Sequence, residues 1–330
     1  MDTPFVATET TRVLQEGAAV MEAGTLPLPK RVRDLIATRL DRLSERARDI
    51  ASMAAVIGRE FDFELLQRAS GLDEYVTAEG VEELVRHCVL RGVGERFDFS
   101  HNRVQAVVYN RLLSPQRRVR HRRVGEALEA IHAANVAPHY VTLGTHFREG
   151  EVWDKAVTYF RKAADRALAR SAYAEGARLA EQAIEALARL PETGDTIAQA
   201  IDLRFILRDA LAPLGQYRTM LNCLHEASVL AETLGDRRRL GLALASLSMA
   251  HRLIPNMDRA VEVGKQAVEL ATELADPQLQ VAATHHLGQA FYFLGDLAHG
   301  ADYLKQSLRI SMRSDPDSEP PTGYLRHARG

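Results

Sequence analysis

Cysteine is scarce in this sequence, with only Cys88 and Cys223 among 330 residues. The two lie in separate predicted helices, which argues against a disulfide framework and favours a reducing compartment. The chain also lacks an apolar run approaching the roughly 18 residues that a membrane-spanning helix needs. Its N-terminus lacks the basic and apolar segments of a secretory signal. From these absences we expect a cytoplasmic protein that does not enter a membrane.

Net charge and catalytic motifs are lacking too. The 42 Lys and Arg residues nearly balance the 44 Asp and Glu residues, so no overall field draws the chain to nucleic acid or anionic lipid. The sequence has no nucleophile elbow, no His-Glu-x-x-His and no cysteine pair at metal-binding spacing. The nearest approach to a phosphate-binding loop, Gly264-Lys265-Gln266, has no glycines before it. We therefore expect no enzyme activity and no metal site in this chain.

What the sequence does contain is a repeat with a spacing of 40 residues between 203 and 310. A fixed period in this range is typical of stacked helical hairpins, each too small to bury its own apolar face. Further upstream, Leu143-Gly144, Phe147 and Phe160 match the spacing of tetratricopeptide repeats. The positions of the long repeat that stand in register include Leu207, Leu247, Leu287, Gly215, Pro255 and Gly295.

The segment before the repeats has a different pattern. Apolar spacing predicts helices from near Lys30, from Ser44-Glu45, from Phe61 to Ala69 and over 76–87. The period then changes to two residues around the turn Gly92-Val93-Gly94, which indicates a β-hairpin. Three or four helices followed by one hairpin are the outline of a winged-helix domain.

We therefore predict an all-α chain in which a winged-helix-like domain with one small β-hairpin precedes a tetratricopeptide-like α-solenoid. Prolines and glycine amid polar residues after Met312 indicate a disordered tail. The predicted domains are a linker segment 1–29, the winged-helix-like domain 30–134, the helical repeats 135–312 and the tail 313–330.

Three clusters of basic residues each have a structural and a functional interpretation. Arg117, Arg118 and Arg120 belong to a dense basic run that could contact phosphates or a partner. We favour a solvated helix start, because these arginines point in several helical directions. His132, His139 and His146 recur every seven residues, but two helical turns separate such side chains by about 10 Å, too far to share a metal ion. The adjacent pair at 285–286 is interpreted as surface or groove histidines.

A winged helix also raises the possibility of DNA binding. A DNA phosphate backbone would repel a strongly acidic helix face, so we do not expect nucleic acid as a partner. His101, at the start of the helix after the hairpin, is interpreted on position alone as a capping or packing histidine. The charged residues of the predicted recognition helix are Asp73, Glu74, Glu79, Glu82, Glu83 and Arg86.

Several segments in this order resemble STAND-class signal-transducing ATPases. The closer resemblance is to bacterial proteins that join a class III adenylate/guanylate cyclase domain, an AAA-type ATPase and tetratricopeptide repeats. It covers the chain up to about residue 310. The segments that carry the resemblance are 28–43, 54–61, Phe97-Asp98-Phe99-Ser100-His101, 190–192, 200–205, 214–215 and 287–290.

The resemblance implies that 1–29 is the remnant of an ATPase lid, since Asp2-Thr3-Pro4-Phe5 resembles the family's Gly-Asn-Pro-Phe stretch. The chain would then start after both Walker motifs and lack any cyclase domain, as the C-terminal part of a split, truncated or mispredicted gene. In relatives a winged-helix histidine contacts the phosphate of bound ATP or ADP, and His101 matches it by position. With no phosphate loop beside it, His101 should bind nucleotide negligibly, so we expect no cofactor here.

The function that follows is a non-catalytic regulatory and protein-interaction module of a cyclase-linked signalling ATPase. The concave face of the repeats would bind a protein partner or ligand. The winged-helix part would pass that occupancy to an ATPase module in cis or in trans. The alternative is a transcription regulator related to ATPase–repeat activators, which binds DNA directly or through a partner.

Overall fold

The computed structural model describes the backbone of residues 30–314 and the side chains of residues 34–313. The predicted lid remnant, 1–29, and the part of the predicted tail beyond Ser314 lie outside the described residues. Within the described residues, every helix is too short or too polar to cross a bilayer.

The chain forms two compact units that divide between Val152 and Trp153. The domain boundaries inferred from sequence, including the one at 134/135, stay predictions. The first unit is mainly helical and carries one small sheet. Its helices are α1 (Lys30–Asp41), α2 (Glu45–Ile57), α3 (Phe63–Ser70), α4 (Glu74–Arg86), α5 (Asn102–Arg111), α6 (Ser114–Ile131) and α7 (Tyr140–Glu149).

The start of α2 shows how local chemistry fixes these helices. Ser44 is the N-cap, and its hydroxyl oxygen accepts a hydrogen bond from the backbone N–H of Ala47. The Ser44 backbone N–H and hydroxyl in turn donate to the carboxylate of Glu83 on α4, at 2.7 and 2.8 Å. These hydrogen bonds, the backbone one first, lower the pKa of Glu83. The predicted helix start at Ser44-Glu45 is confirmed, and the same contact ties α2 to α4.

The sheet has three antiparallel strands in the order β1 (Glu60–Asp62), β3 (Arg96–Phe99), β2 (Leu90–Val93). The predicted hairpin is confirmed as β2 and β3. The predicted helix from Phe61 to Ala69 is wrong at its start, because Phe61 pairs with Phe97 across β1 and β3 and the helix begins at Phe63. Phe61 and Phe99 are fully buried and pack edge to face with ring centroids 6.4 Å apart.

The second unit is a tetratricopeptide-like stack of four helical hairpins. Every helix packs against the next helix along the chain, as a stack of neighbours requires. Three of the four second helices, α11, α13 and α15, begin 40 residues apart, which confirms the period seen in the sequence. The hairpins are α8 (Trp153–Ala169) with α9 (Tyr173–Leu187), α10 (Gly194–Leu211) with α11 (Tyr217–Leu234), α12 (Arg237–Leu253) with α13 (Met257–Glu273), and α14 (Pro277–Leu294) with α15 (Leu297–Ser314).

The same turn chemistry joins α11 to α12 and α13 to α14. The Asp236 and Asp276 carboxylates, 40 residues apart, each cap the following helix by accepting a backbone N–H three residues on. The residue before each aspartate has positive φ, +71° at Gly235 and +49° at Ala275. Each turn therefore reverses the chain tightly, so that the next helix returns alongside the last one.

Candidate ligand-binding face

The first helices of the hairpins also contact one another across the stack. α8 packs against α10, and α12 packs against α14, in addition to the contacts inside each hairpin. A hydrogen bond from Arg208 on α10 to Ser246 on α12 joins two of these helices. Stacked helical repeats bind ligands on an extended concave surface, and we take the surface of the first helices as the candidate for it. We call the polar surface of these helices the inner face: Asp165, Phe205, Arg208, Asp209, Arg252, His285, His286, Gln289 and Phe293.

Arg208 is held in place near the middle of the inner face. Its guanidinium lies over the ring of Phe205, with the guanidinium carbon 5.1 Å from the ring centroid. One terminal nitrogen donates to the hydroxyl of buried Ser246 at 2.7 Å, and Nε donates to the carboxylate of Asp209 at 2.9 Å. These three contacts fix the plane of the guanidinium and leave it partly exposed.

Arg252 and two histidines lie on the next two first helices. The Arg252 guanidinium carbon is 5.2 Å from the centroid of Phe293, whose side chain is 57% exposed. His285 and His286 lie edge to face with ring centroids 5.5 Å apart, and both are half-buried. Nδ1 of His286 is buried and has no hydrogen-bond partner among the described residues.

Arg252 and Arg208 lie close enough to His286 for their charges to act on it. Burial lowers the pKa of His286 to about 3, and the neighbouring His285, Arg252 and Arg208 lower it further because each disfavours a second positive charge. Burial, followed by Arg252, also lowers the pKa of His285. Both histidines are therefore neutral near pH 7, and the positive charge of this area comes from the two arginines.

The inner face also contains carboxylates. Asp165 on α8 lies close enough to Asp209 on α10 for their charges to interact. Burial raises the pKa of Asp165, the nearby Arg161 lowers it, and Asp209 raises it. The inner face thus carries carboxylates on α8 and α10 and arginines on α10 and α12.

His101 caps α5 in the first unit. Its Nδ1 accepts a hydrogen bond from the backbone N–H of Arg103 at 3.2 Å, and its side chain is exposed. This is the structural role inferred from its position. Its role as a phosphate contact stays a prediction, because it depends on an ATPase module.

The three arginines of α6 that were predicted to contact phosphates or a partner already contact other side chains of the first unit. Arg117 lies over the ring of Tyr109, 4.8 Å from its centroid, Arg118 pairs with Glu151 at 2.7 Å, and Arg120 pairs with Asp49. A ligand would have to compete with these contacts. Phosphate or partner binding by Arg117, Arg118 and Arg120 stays a prediction.

The acidic helix α4 is also partly neutralised by its neighbours. Glu83 binds Ser44, and Glu79 lies 3.9 Å from Arg46 on α2. Glu74 and Glu82 stay exposed along the helix. These contacts do not favour DNA binding by α4, and the DNA-binding alternative stays a hypothesis.

A buried polar cluster in the first unit was not anticipated from sequence. Tyr109 Oη lies 3.0 Å from Nε2 of His121, and Nδ1 of His121 lies 3.0 Å from Nδ1 of His146. Both histidines are buried. His132 and His139, which share the seven-residue spacing with His146, instead stack on each other with ring centroids 3.7 Å apart. Among the described residues, no three His, Cys, Asp or Glu side chains are grouped to hold a metal ion.

Comparison with known proteins gives structural neighbours only. No protein-family profile and no curated protein matches the chain. The apo form of RapI aligns over 54% of this chain and 66% of its own, at 12% identity and a TM-score of 0.45. A Rap protein complexed with competence and sporulation factor aligns over 86% of this chain and 78% of its own, at 13% identity and 0.43.

A STAND protein with a tetratricopeptide repeat sensor from Pyrococcus horikoshii aligns over 87% of this chain, at 11% identity and a TM-score of 0.42. The chain spans about half of that protein, 53%, and about two thirds of the RapI chain, 66%. These TM-scores lie below 0.5, so the three structures do not indicate the function of this chain.

Proposed function

We propose that this chain is a non-catalytic regulatory module whose helical repeats bind a peptide or protein partner on the inner face. The observation that carries the proposal is the inner face itself, where polar groups from four successive hairpins adjoin partly exposed aromatic rings. Partner-binding surfaces are enriched in arginine and aromatic side chains, and both are present here. A stack of this kind supplies a long surface without needing a catalytic group.

The proposal extends to the first unit through the sequence resemblance. The winged-helix-like unit would pass partner occupancy to an ATPase module of a cyclase-linked signalling protein, supplied in cis or in trans. His101 would contact the nucleotide phosphate only in that assembly. Calorimetric titration of the purified chain with ATP should therefore give no binding in the micromolar range. Micromolar binding that is lost in His101→Ala would contradict this part of the proposal.

The central experiment is selection of binding peptides from a random mRNA-displayed library on the purified full chain. We expect enriched peptides, and we expect them to slow backbone hydrogen exchange in α10, α12 and α14. Failure to enrich any peptide, or protection confined to the second helices α11, α13 and α15, would contradict the proposed function.

A further inference from the structure

The last helix of the stack, α15, carries a stripe of apolar residues that faces solvent. We call Leu297, Ala301, Leu308 and Met312 the α15 stripe, and their spacing places them on one side of the helix. All four side chains are exposed, and those of Leu297 and Met312 are 60% and 65% exposed. A contiguous exposed apolar surface is typical of an interaction site.

The equivalent residues of the preceding hairpin are covered by the next one. Val261 and Val268 on α13, 40 residues before Ala301 and Leu308, pack with Leu287 of α14. Val261 is buried and Val268 is half-buried, whereas Leu308 is 45% exposed. The α15 stripe therefore continues the surface by which one hairpin of the stack packs on the next.

One position of the repeat becomes apolar only in the last hairpin. Glu232, Thr272 and Met312 stand in register at intervals of 40 residues, and all three are exposed. Glutamate and threonine suit a position that faces water. A methionine at the same position favours a contact with another apolar surface.

We propose that the α15 stripe binds the α15 stripe of a second copy of this chain, with the two helices antiparallel about a two-fold axis. A two-fold interface uses the same surface on both copies, so that surface must be complementary to itself. The inference goes beyond the proposed function, because it concerns a second helix of the stack and not the first helices of the inner face.

The apolar residues of the stripe complement one another in the antiparallel arrangement. Leu297 can be placed opposite Met312 of the second copy. Ala301 then lies opposite Leu308, because the members of each pair are shifted by the same four residues along α15. A small side chain thus faces a larger one, and the two-fold axis repeats both pairs.

The charges at the two ends of α15 favour the same arrangement. In this register Asp296, just before the helix, lies opposite Arg313 of the second copy. Side chains of opposite charge would therefore meet at both ends of the interface. The Asp296 carboxylate also contacts Nδ1 of His299 at 2.6 Å and is still 37% exposed. A parallel pairing would instead place Arg313 beside Arg313, which like-charge repulsion disfavours.

Sedimentation equilibrium of the purified full chain tests the proposal. Wild type should dimerise in the micromolar range, and Leu308→Glu should raise the dimer dissociation constant at least about a hundredfold, because the two-fold axis places the change in the interface twice. Val229→Glu is the matched control, since Val229 is 59% exposed on α11 and glutamate suits a helix. A monomeric wild type, or the same dissociation constant in Leu308→Glu, would overturn the proposal. An equal loss of dimer in the control would do so too.

Disulfide cross-linking tests the antiparallel register with milder substitutions. The background is Cys88→Ser, because Cys88 is exposed and Cys223 is buried. A mixture of Ala301→Cys and Leu308→Cys chains should cross-link under a mild oxidant faster than either chain alone. In the proposed register two copies of position 301, or two of position 308, are about 10 Å apart along the helix axis. Cross-linking that is no faster in the mixture would refute the antiparallel pairing.

Discussion

Lowering the pH should destabilise the first unit through its buried histidine pair. His146 is buried, and burial, followed by the charge of His121, lowers its pKa to about 3. In the unfolded chain the same side chain has a pKa near 6.5. The unfolded state therefore binds more protons than the folded state between these values, so stability is full above about pH 6.5 and falls as the pH drops through that value.

The magnitude follows from the two pKa values. Between about pH 7.5 and about pH 5.5, His146 alone should remove about 1.4 kcal/mol from the free energy of unfolding, because it stays neutral while its unfolded counterpart charges. Burial also lowers the pKa of His121, with Glu149 opposing and Arg117 adding to that effect, so this residue acts in the same direction. Tyr109 and His146 can keep their hydrogen bonds to a protonated His121, so the cost comes from burying the charge.

Hydrogen exchange measured by mass spectrometry is the appropriate assay. The only tryptophan, Trp153, is the first residue of the second unit, so its fluorescence is not a specific probe of α6 and α7. After correction for the intrinsic exchange rate, the opening free energy of α6 and α7 should fall by at least about 1.4 kcal/mol over this pH range. His146→Gln should lose most of that dependence, whereas the exposed control His101→Gln should retain it. An unchanged slope in His146→Gln would refute the reasoning.

Three further substitutions test the packing and capping contacts. Gly288→Ala would place a Cβ within 3.1 Å of a backbone nitrogen of α15, and should cost about 2 kcal/mol in urea denaturation of the second unit. Arg239→Gln removes a two-pronged pair with Asp202 at 2.9 and 3.0 Å, and should cost about 1 kcal/mol, with a smaller difference from wild type in high salt. His101→Ala removes the cap of α5, and should speed hydrogen exchange there by the equivalent of about 1 kcal/mol, with little change in α2.

The periodic features of the fold were predictable from sequence, and the isolated ones were not. The repeat could be predicted because stacked hairpins reuse the same contacts, so Leu207, Leu247 and Leu287 recur at equal spacing in buried positions. The strand β1 could not, because three residues are too short to show alternation. Its partner β3 lies 36 residues away along the chain (61 to 97).

The inner-face cluster could not be predicted from the sequence either, for a related reason. Arg208, Arg252 and His286 do not occupy equivalent positions of the repeat, so no period joins them. Each hairpin contributes only one of these three groups, so the pattern of a single hairpin does not show the cluster. Similarly, the seven-residue histidine spacing brings His146 to His121 rather than to His139, because the contact crosses from α7 to α6. Sequence patterns report the contacts that recur, whereas these sites depend on contacts that occur once.

Because the residues of the inner face come from several hairpins, ligand binding there would depend on how the hairpins are stacked. No single hairpin contains Arg208, Arg252 and His286, so the proposed binding face would depend on α10, α12 and α14 being held in their order. Each hairpin is stabilised mainly by its neighbours, and a ligand that bridges three of them adds its binding energy to those interfaces. Binding at the inner face would thereby stiffen the second unit along its length. A repeat stack can in this way convert occupancy of one small site into a change that reaches its ends, as the proposed regulatory function requires.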